Sequence, residues 1–148
     1  MPVVHPKRFK NRKEAGQLLA RRLAAYAGRD DVIVVALPRG GVPVGVAIAD
    51  KLKLEFDILL VRKLGFPWQP ELAMGAVASG GLVVLHDELL GMFHVPAALI
   101  EAQTQRELQE IARRERRYRR GRPAPALRQR HVMLVDDGIA TGSTMRAA

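Results

Sequence analysis

The stretch VMLVDDGIATGSTMRAA, from Val132 to Ala148, gathers residues that could hold a phosphorylated sugar. Its opening apolar run reads as a buried strand. Two adjacent carboxylates, Asp136 and Asp137, stand where such a strand would leave its sheet. Gly138, Gly142 and the hydroxyls of Thr141, Ser143 and Thr144 follow, and TMRAA reads as the opening of a helix. Backbone N–H groups at a helix N-terminus are unsatisfied and favour anions. A loop of small residues lets a phosphate come close to them. The paired acids would repel a phosphate placed directly on them, but they accept hydrogen bonds from a diol. Diol on the acids and phosphate on the loop together spell a 5-phosphorylated ribose. The plainer alternative is a surface turn followed by a capped helix.

Positioning such a loop takes a sheet, and the rest of the chain reads as one. In NRKEAGQLLARRLAAYAG, Asn11 is a candidate N-cap and Glu14 follows at capping-box spacing. Ala15, Leu18, Leu19, Leu23 and Tyr26 recur at helical spacing, and Gly28 offers a stop. VIVVAL, Val32 to Leu37, is a continuous apolar run suited to a strand covered on both faces. PRGGVP interrupts it, and a second helix starts with Pro43 in its first turn. FDILLV, Phe56 to Val61, is the next strand. Residues 62 to 81 form a polar stretch punctuated by Gly and Pro, within which ELAMGAVA has room for order. LVVL is a short strand and HDELLGMFH a connection. The longest helical pattern runs from Pro96 to about Arg120, where the prolines of GRPAPAL end it.

Strands alternating with helices predict an α/β domain with a largely parallel central sheet flanked by helices, one domain over residues 1–148. Ligands of such sheets bind beyond the carboxyl ends of the strands. Three loops are candidates there: PRGG, RKLGFPWQPE and DDGIATGST.

VMLVDDGIATGST resembles the motif by which the type I phosphoribosyltransferases bind 5-phosphoribosyl pyrophosphate (PRPP). VALPRGGVPVG resembles the pyrophosphate loop of that family, and LLVRKLGFPWQPELAMGAV its Arg-Lys pair leading into a mobile loop. The resemblance covers Val32 to Ala148. It implies that Asp136 and Asp137 take the ribose hydroxyls, while Ile139, Ala140, Thr141, Gly142, Ser143 and Thr144 take the 5-phosphate. Arg39 and the amides of Gly40 and Gly41 would meet the pyrophosphate, glycine permitting the unusual backbone angles of a tight loop. Arg62 and Lys63 are further pyrophosphate partners, a bidentate fork and a point charge. Their plainer role is solvation at a strand end.

The implied reaction transfers the phosphoribosyl group of PRPP to a small nitrogenous base and releases pyrophosphate. Mg²⁺ would bind mainly through the pyrophosphate oxygens, with no dedicated protein ligand. Catalytic roles fall to Arg39 and Lys63, which stabilise the leaving group, and to Glu71 as candidate base. The 6-oxopurine enzymes of the family carry an acid before the Thr-Gly pair, and this chain has Ala140 there. Family members continue beyond the final helix, so the resemblance also implies a chain whose last elements are missing, with a homodimer open to it.

The bulk properties set bounds. At 148 residues and 48% apolar content the chain can bury a core. It has no cysteine and so no disulfide framework. MPVVHPKRFKNRKE lacks the apolar core of a leader peptide, which makes the cytoplasm the expected compartment. The formal charge of +9 is local: Arg113 to Arg130 holds nine arginines against one acid, Glu115. That run raises an alternative function, a PRPP-sensing regulator that grips nucleic acid through its Arg-rich helix. A solvated helix end with Tyr118 packed back onto the domain is the plainer reading. His86, Asp87, Glu88 and His94 could be taken for a metal cluster, although a solvated connection suits them better.

Overall fold

Val32–Ala36 forms β1, and all five of its residues are buried, as a continuous β-branched run at the centre of a sheet requires. In the computed structural model, which describes residues 8–139 and 143–148, the chain divides into two compact units. One comprises the chain up to Ile58 together with Leu127–Gly138; the other comprises Leu59–Ala126 and Ile139–Ala148.

The first unit holds α1 (Arg12–Arg22), β1, α2 (Gly41–Leu52), β2 (Glu55–Ile58) and, from late in the chain, β6 (His131–Val135). Its three strands are parallel, in the order β2-β1-β6. α1 begins as the capping-box spacing predicts: the Asn11 side chain accepts from the Glu14 N–H at 2.9 Å. The helix ends at Arg22, and a 3₁₀ turn over Ala24–Tyr26 completes the expected stretch. The core joins Val34 and Ala36 of β1 to Val44, Ile48, Ala49 and Leu52 of α2, with Ala20 and Val135 added from α1 and β6.

The second unit holds β3 (Val61–Phe66), β4 (Gln69–Ala78), β5 (Val83–Leu85), α3 (Asp87–Phe93), α4 (Ala97–Arg119) and α5 (Ser143–Ala147). Its sheet is antiparallel, in the order β3-β4-β5. Here the structure departs from the sequence expectation: most of the stretch 62–81 is a hairpin rather than a loop. Register shifts on either side of Gly65 break the apolar alternation that would have marked the strands. Leu64, Phe66, Met74 and Val77 meet only across the hairpin, in a core with Leu60 and Ile111. α3 likewise replaces an expected connection, because Leu89 and Leu90 pack on that core. No helix among the described residues is long and apolar enough to cross a membrane.

Candidate functional site

The register of two parallel strands decides what meets what in the first unit. β1 and β6 pair residue for residue from Val32 with His131 to Ala36 with Val135. One step further, the Leu37 N–H donates to the Val135 carbonyl at 2.9 Å. Both strands therefore run out together, and the PRGG and DDG segments leave the sheet side by side. The Gly41 N–H then donates back to the Leu37 carbonyl at 3.0 Å, closing the turn into α2. The Pro38–Arg39 peptide within this turn is cis.

The reason for glycine in this loop differs from the expected one. Gly40 has φ −62° and ψ −36°, ordinary right-handed helical angles open to any residue. What the position forbids is a side chain. A Cβ on Gly40 would fall on the Asp137 carboxylate, 2.6 Å from Oδ1 and closer still to Oδ2 and Cγ. At Gly41 it would lie 2.6 Å from the Val135 carbonyl oxygen. The two loops touch backbone to carboxylate, and only a bare Cα leaves Asp137 where it is.

Asp137 has a partner that no motif announced. Arg12, the first residue of α1, donates to its Oδ2 from Nε at 2.9 Å and from Nη2 at 2.7 Å. The Arg12 guanidinium holds the Asp137 carboxyl below the usual carboxylate range, against a smaller opposing effect of burial. The Asp137 N–H donates to Asp136 Oδ1 at 2.8 Å, which ties the two acids together. Arg12 reaches the pair because α1 lies close on α2. Gly16 makes that approach possible, since a Cβ there would sit 2.5 Å from the Val44 carbonyl oxygen. The capping signal at Asn11 marked where the helix starts, but nothing in the sequence marked what its first side chain touches. A hollow of about 360 Å³ adjoins the acids, walled by Phe9, Arg12, Leu19, Val44, Asp136 and Asp137.

Of the residues singled out in the sequence, Arg39, Gly40, Gly41, Asp136 and Asp137 are thus neighbours in the first unit, with Arg39 exposed. Arg62 and Lys63 lie on β3 and Glu71 on β4, in the second unit. The Arg62 Nε donates to Glu107 of α4 at 2.5 Å, while Lys63 and Glu71 are exposed. Ile139 is exposed, Thr144 is half-buried in the short α5, and Ser143 opens that helix. Ala140, Thr141 and Gly142 lie outside the described residues. Trp68 anchors its turn: its ring is 5.4 Å from that of Phe66 and 6.2 Å from that of Phe93.

Among the described residues no group of three or more His, Cys, Asp or Glu is placed to hold a metal ion. Much of the arginine run is engaged within α4. Arg113 and Arg114 both donate to Glu110, whose carboxyl they hold down at about 2, and Arg119 pairs with Glu115 at 3.5 Å. Tyr118 stands exposed rather than packed back on the domain.

Comparison with known proteins bears on this arrangement. The family model described as "Phosphoribosyl transferase domain" matches residues 7–148, spanning both units. "Putative phosphoribosyl transferase Rv0571c" of Mycobacterium tuberculosis strain H37Rv is 48% identical over 142 residues, 96% of this chain and 32% of that protein. The counterpart in strain CDC 1551 matches equally. The chain therefore spans about a third of the length of these curated relatives. The crystal structure of TT1426 from Thermus thermophilus aligns with a TM-score of 0.77 at 44% identity, over 95% of this chain and 66% of that one.

Proposed function

From the chain's membership of the phosphoribosyl transferase domain family, we propose that it binds PRPP and transfers the phosphoribosyl group to a nitrogenous base, releasing pyrophosphate. The observation that carries this reading is the seating of the PRGG loop on Asp137 at the shared end of β1 and β6. It sets a cationic, amide-rich loop against two carboxylates, as a substrate with a pyrophosphate on one carbon of a diol-bearing ring demands.

In this reading Asp136 and Asp137 accept the 2- and 3-hydroxyls of the ribose. Arg12 takes only Oδ2 of Asp137, so Oδ1 remains for a hydroxyl. Arg39 and the loop amides meet the pyrophosphate, and residues 139–144 take the 5-phosphate. In the reaction the bond from C1 to the pyrophosphate oxygen breaks, and the electron pair leaves with pyrophosphate. The base nitrogen forms the new bond to C1 and gives up its proton, for which Glu71 is the candidate acceptor. Positive charge builds on the ribose ring as the bond opens, as in other glycosyl transfers. The protein contributes orientation and charge stabilisation rather than a nucleophile. Mg²⁺, bound through the pyrophosphate, would neutralise the leaving group. The hollow beside the acids, apolar at Phe9, Leu19 and Val44, has room for the acceptor ring.

Calorimetric titration with PRPP and Mg²⁺ tests the reading, with the Asp136→Asn/Asp137→Asn double variant as control. Saturable binding by the parent and none by the variant is expected. A folded parent that binds no PRPP, or a variant that binds it equally well, would overturn the assignment.

A further inference from the structure

The last turns of α4 carry arginines at a spacing that puts them on one side of the helix. Arg113, Arg116, Arg117 and the C-cap Arg120 follow at i, i+3, i+4 and i+7, a single stripe at 3.6 residues per turn. All four are exposed. The opposite side is committed to the core of the second unit: Thr104 and Ile111 are buried, and Ile100 and Leu108 pack on that core.

The acids at this end of α4 leave a surplus of charge. From Glu110 to Arg122 seven arginines stand against two acids. Glu110 takes Arg113 and Arg114, and Glu115 takes Arg119. Arg116, Arg117, Arg120 and Arg122 have no salt bridge among the described residues. The helix dipole favours cations in a last turn, but it asks for no stripe. Within the stripe Arg113 faces Arg116 and Arg117, and Arg120 faces the same two, so each neighbouring pair repels. A polyanion laid along this face relieves all of those repulsions at once.

The chemistry of the partner follows from the same face. From Arg113 to Arg120 the helix rises about 10 Å, a length in which a DNA duplex presents about six phosphates. Guanidinium forks pair with phosphate oxygens. A membrane surface would want an apolar face to insert beside the charges, and the apolar face of α4 is buried. A single strand would want aromatic rings on which to stack its bases. Tyr118, the one aromatic residue of α4, lies about 140° round the helix from Arg113 and so off the stripe.

We propose that Arg116, Arg117 and Arg120, extended by Arg113 and Arg122, form a docking surface for the phosphate backbone of duplex nucleic acid, gripped without regard to base sequence. None of these residues is assigned to PRPP, and the surface does not depend on the transfer reaction.

The test is fluorescence anisotropy of the whole chain with a labelled mixed-sequence DNA duplex, the matching RNA duplex and one isolated strand, with co-sedimentation on phosphatidylserine vesicles alongside. Saturable duplex binding is expected, falling about 40-fold between about 50 and 200 mM salt, the slope of roughly three phosphate contacts. Arg116→Gln/Arg117→Gln/Arg120→Gln should weaken it more than about tenfold at about 100 mM salt, and each single Gln variant should lower the slope by about 1. The corresponding triple Lys variant keeps the charge and should retain most of the binding, so a loss through misfolding is told from a loss of contacts. Lys13→Gln/Arg21→Gln/Arg22→Gln removes as much charge from exposed positions on α1 and should leave the affinity within about twofold. Both duplexes should bind, and a preference between them would tell which helix geometry seats the stripe. No saturable duplex binding, binding to vesicles alone, tighter binding of the single strand, or equal losses in the α1 and α4 variants would overturn the proposal.

Discussion

Replacing Gly40 by alanine isolates the contact on which the ribose assignment rests. The added Cβ would lie 2.6 Å from Asp137 Oδ1 and nearer to Oδ2 and Cγ. Non-bonded heavy atoms settle at roughly 3.5–4.0 Å, so the carboxylate must retreat by about 1 Å or more. It is the free end of a side chain, and moving it costs the fold little. The Arg12–Asp137 pair is open to solvent, at 59% and 32% of the two side chains, and such pairs contribute only about 0.2–1 kcal/mol. Ligand binding is far less forgiving, because a displacement of about 1 Å in a positioning group can cost on the order of a hundredfold. Gly40→Ala should therefore weaken PRPP affinity about 10- to 100-fold, or about 1.4–2.7 kcal/mol, while the melting temperature falls by only a few degrees. The control directly follows Asp137 in the chain: a Cβ on Gly138 would meet nothing within 4 Å, so Gly138→Ala should bind PRPP normally. Titration calorimetry and thermal melting of the two variants decide the matter. Undiminished affinity in Gly40→Ala, or equal loss in Gly138→Ala, would refute the reasoning.

Arg12→Gln removes the cation that holds the Asp137 carboxyl below its ordinary 3.8. A depressed carboxylate stays charged until the pH falls through its lowered value, so the variant should lose that charge at a higher pH. Carboxyl NMR titration of Asp137 should show its midpoint moving up toward 3.8, and an unmoved midpoint would show that Arg12 does not set it. Gly16→Ala places a methyl 2.5 Å from the Val44 carbonyl oxygen and 2.7 Å from the Ala47 Cβ, where backbone rather than a free side-chain end must yield. Overpacking of this kind costs about 1–3 kcal/mol, which urea denaturation would register as a lower midpoint.

How much of this was legible in the sequence depended on whether the signal was local. Helix starts were readable where a cap and its partner sit three residues apart, as at Asn11 and Glu14, since that bond forms within one turn. Strand β1 was readable because five consecutive apolar residues have few other fates. The hairpin of β3 and β4 was hidden, because the irregularity at Gly65 interrupts the period on which strand reading relies and its apolar residues are united only across the strands. The glycines of PRGG were noticed, but for a backbone reason that their angles do not bear out.

The site divides in the same way. Residue types alone marked Asp136, Asp137 and the PRGG loop as candidates, since paired acids and a bare, basic turn have chemistry wherever they stand. That they stand together was settled by the register of β1 against β6, a pairing of segments about a hundred positions apart in the chain. The partnership of Arg12 with Asp137, across 125 positions, has no sequence signal because nothing around Arg12 sets it apart from the other arginines of the chain. Composition and spacing report what each segment can do by itself. Contacts between distant segments depend on which surfaces the buried core brings into register, and only the tertiary structure carries that information.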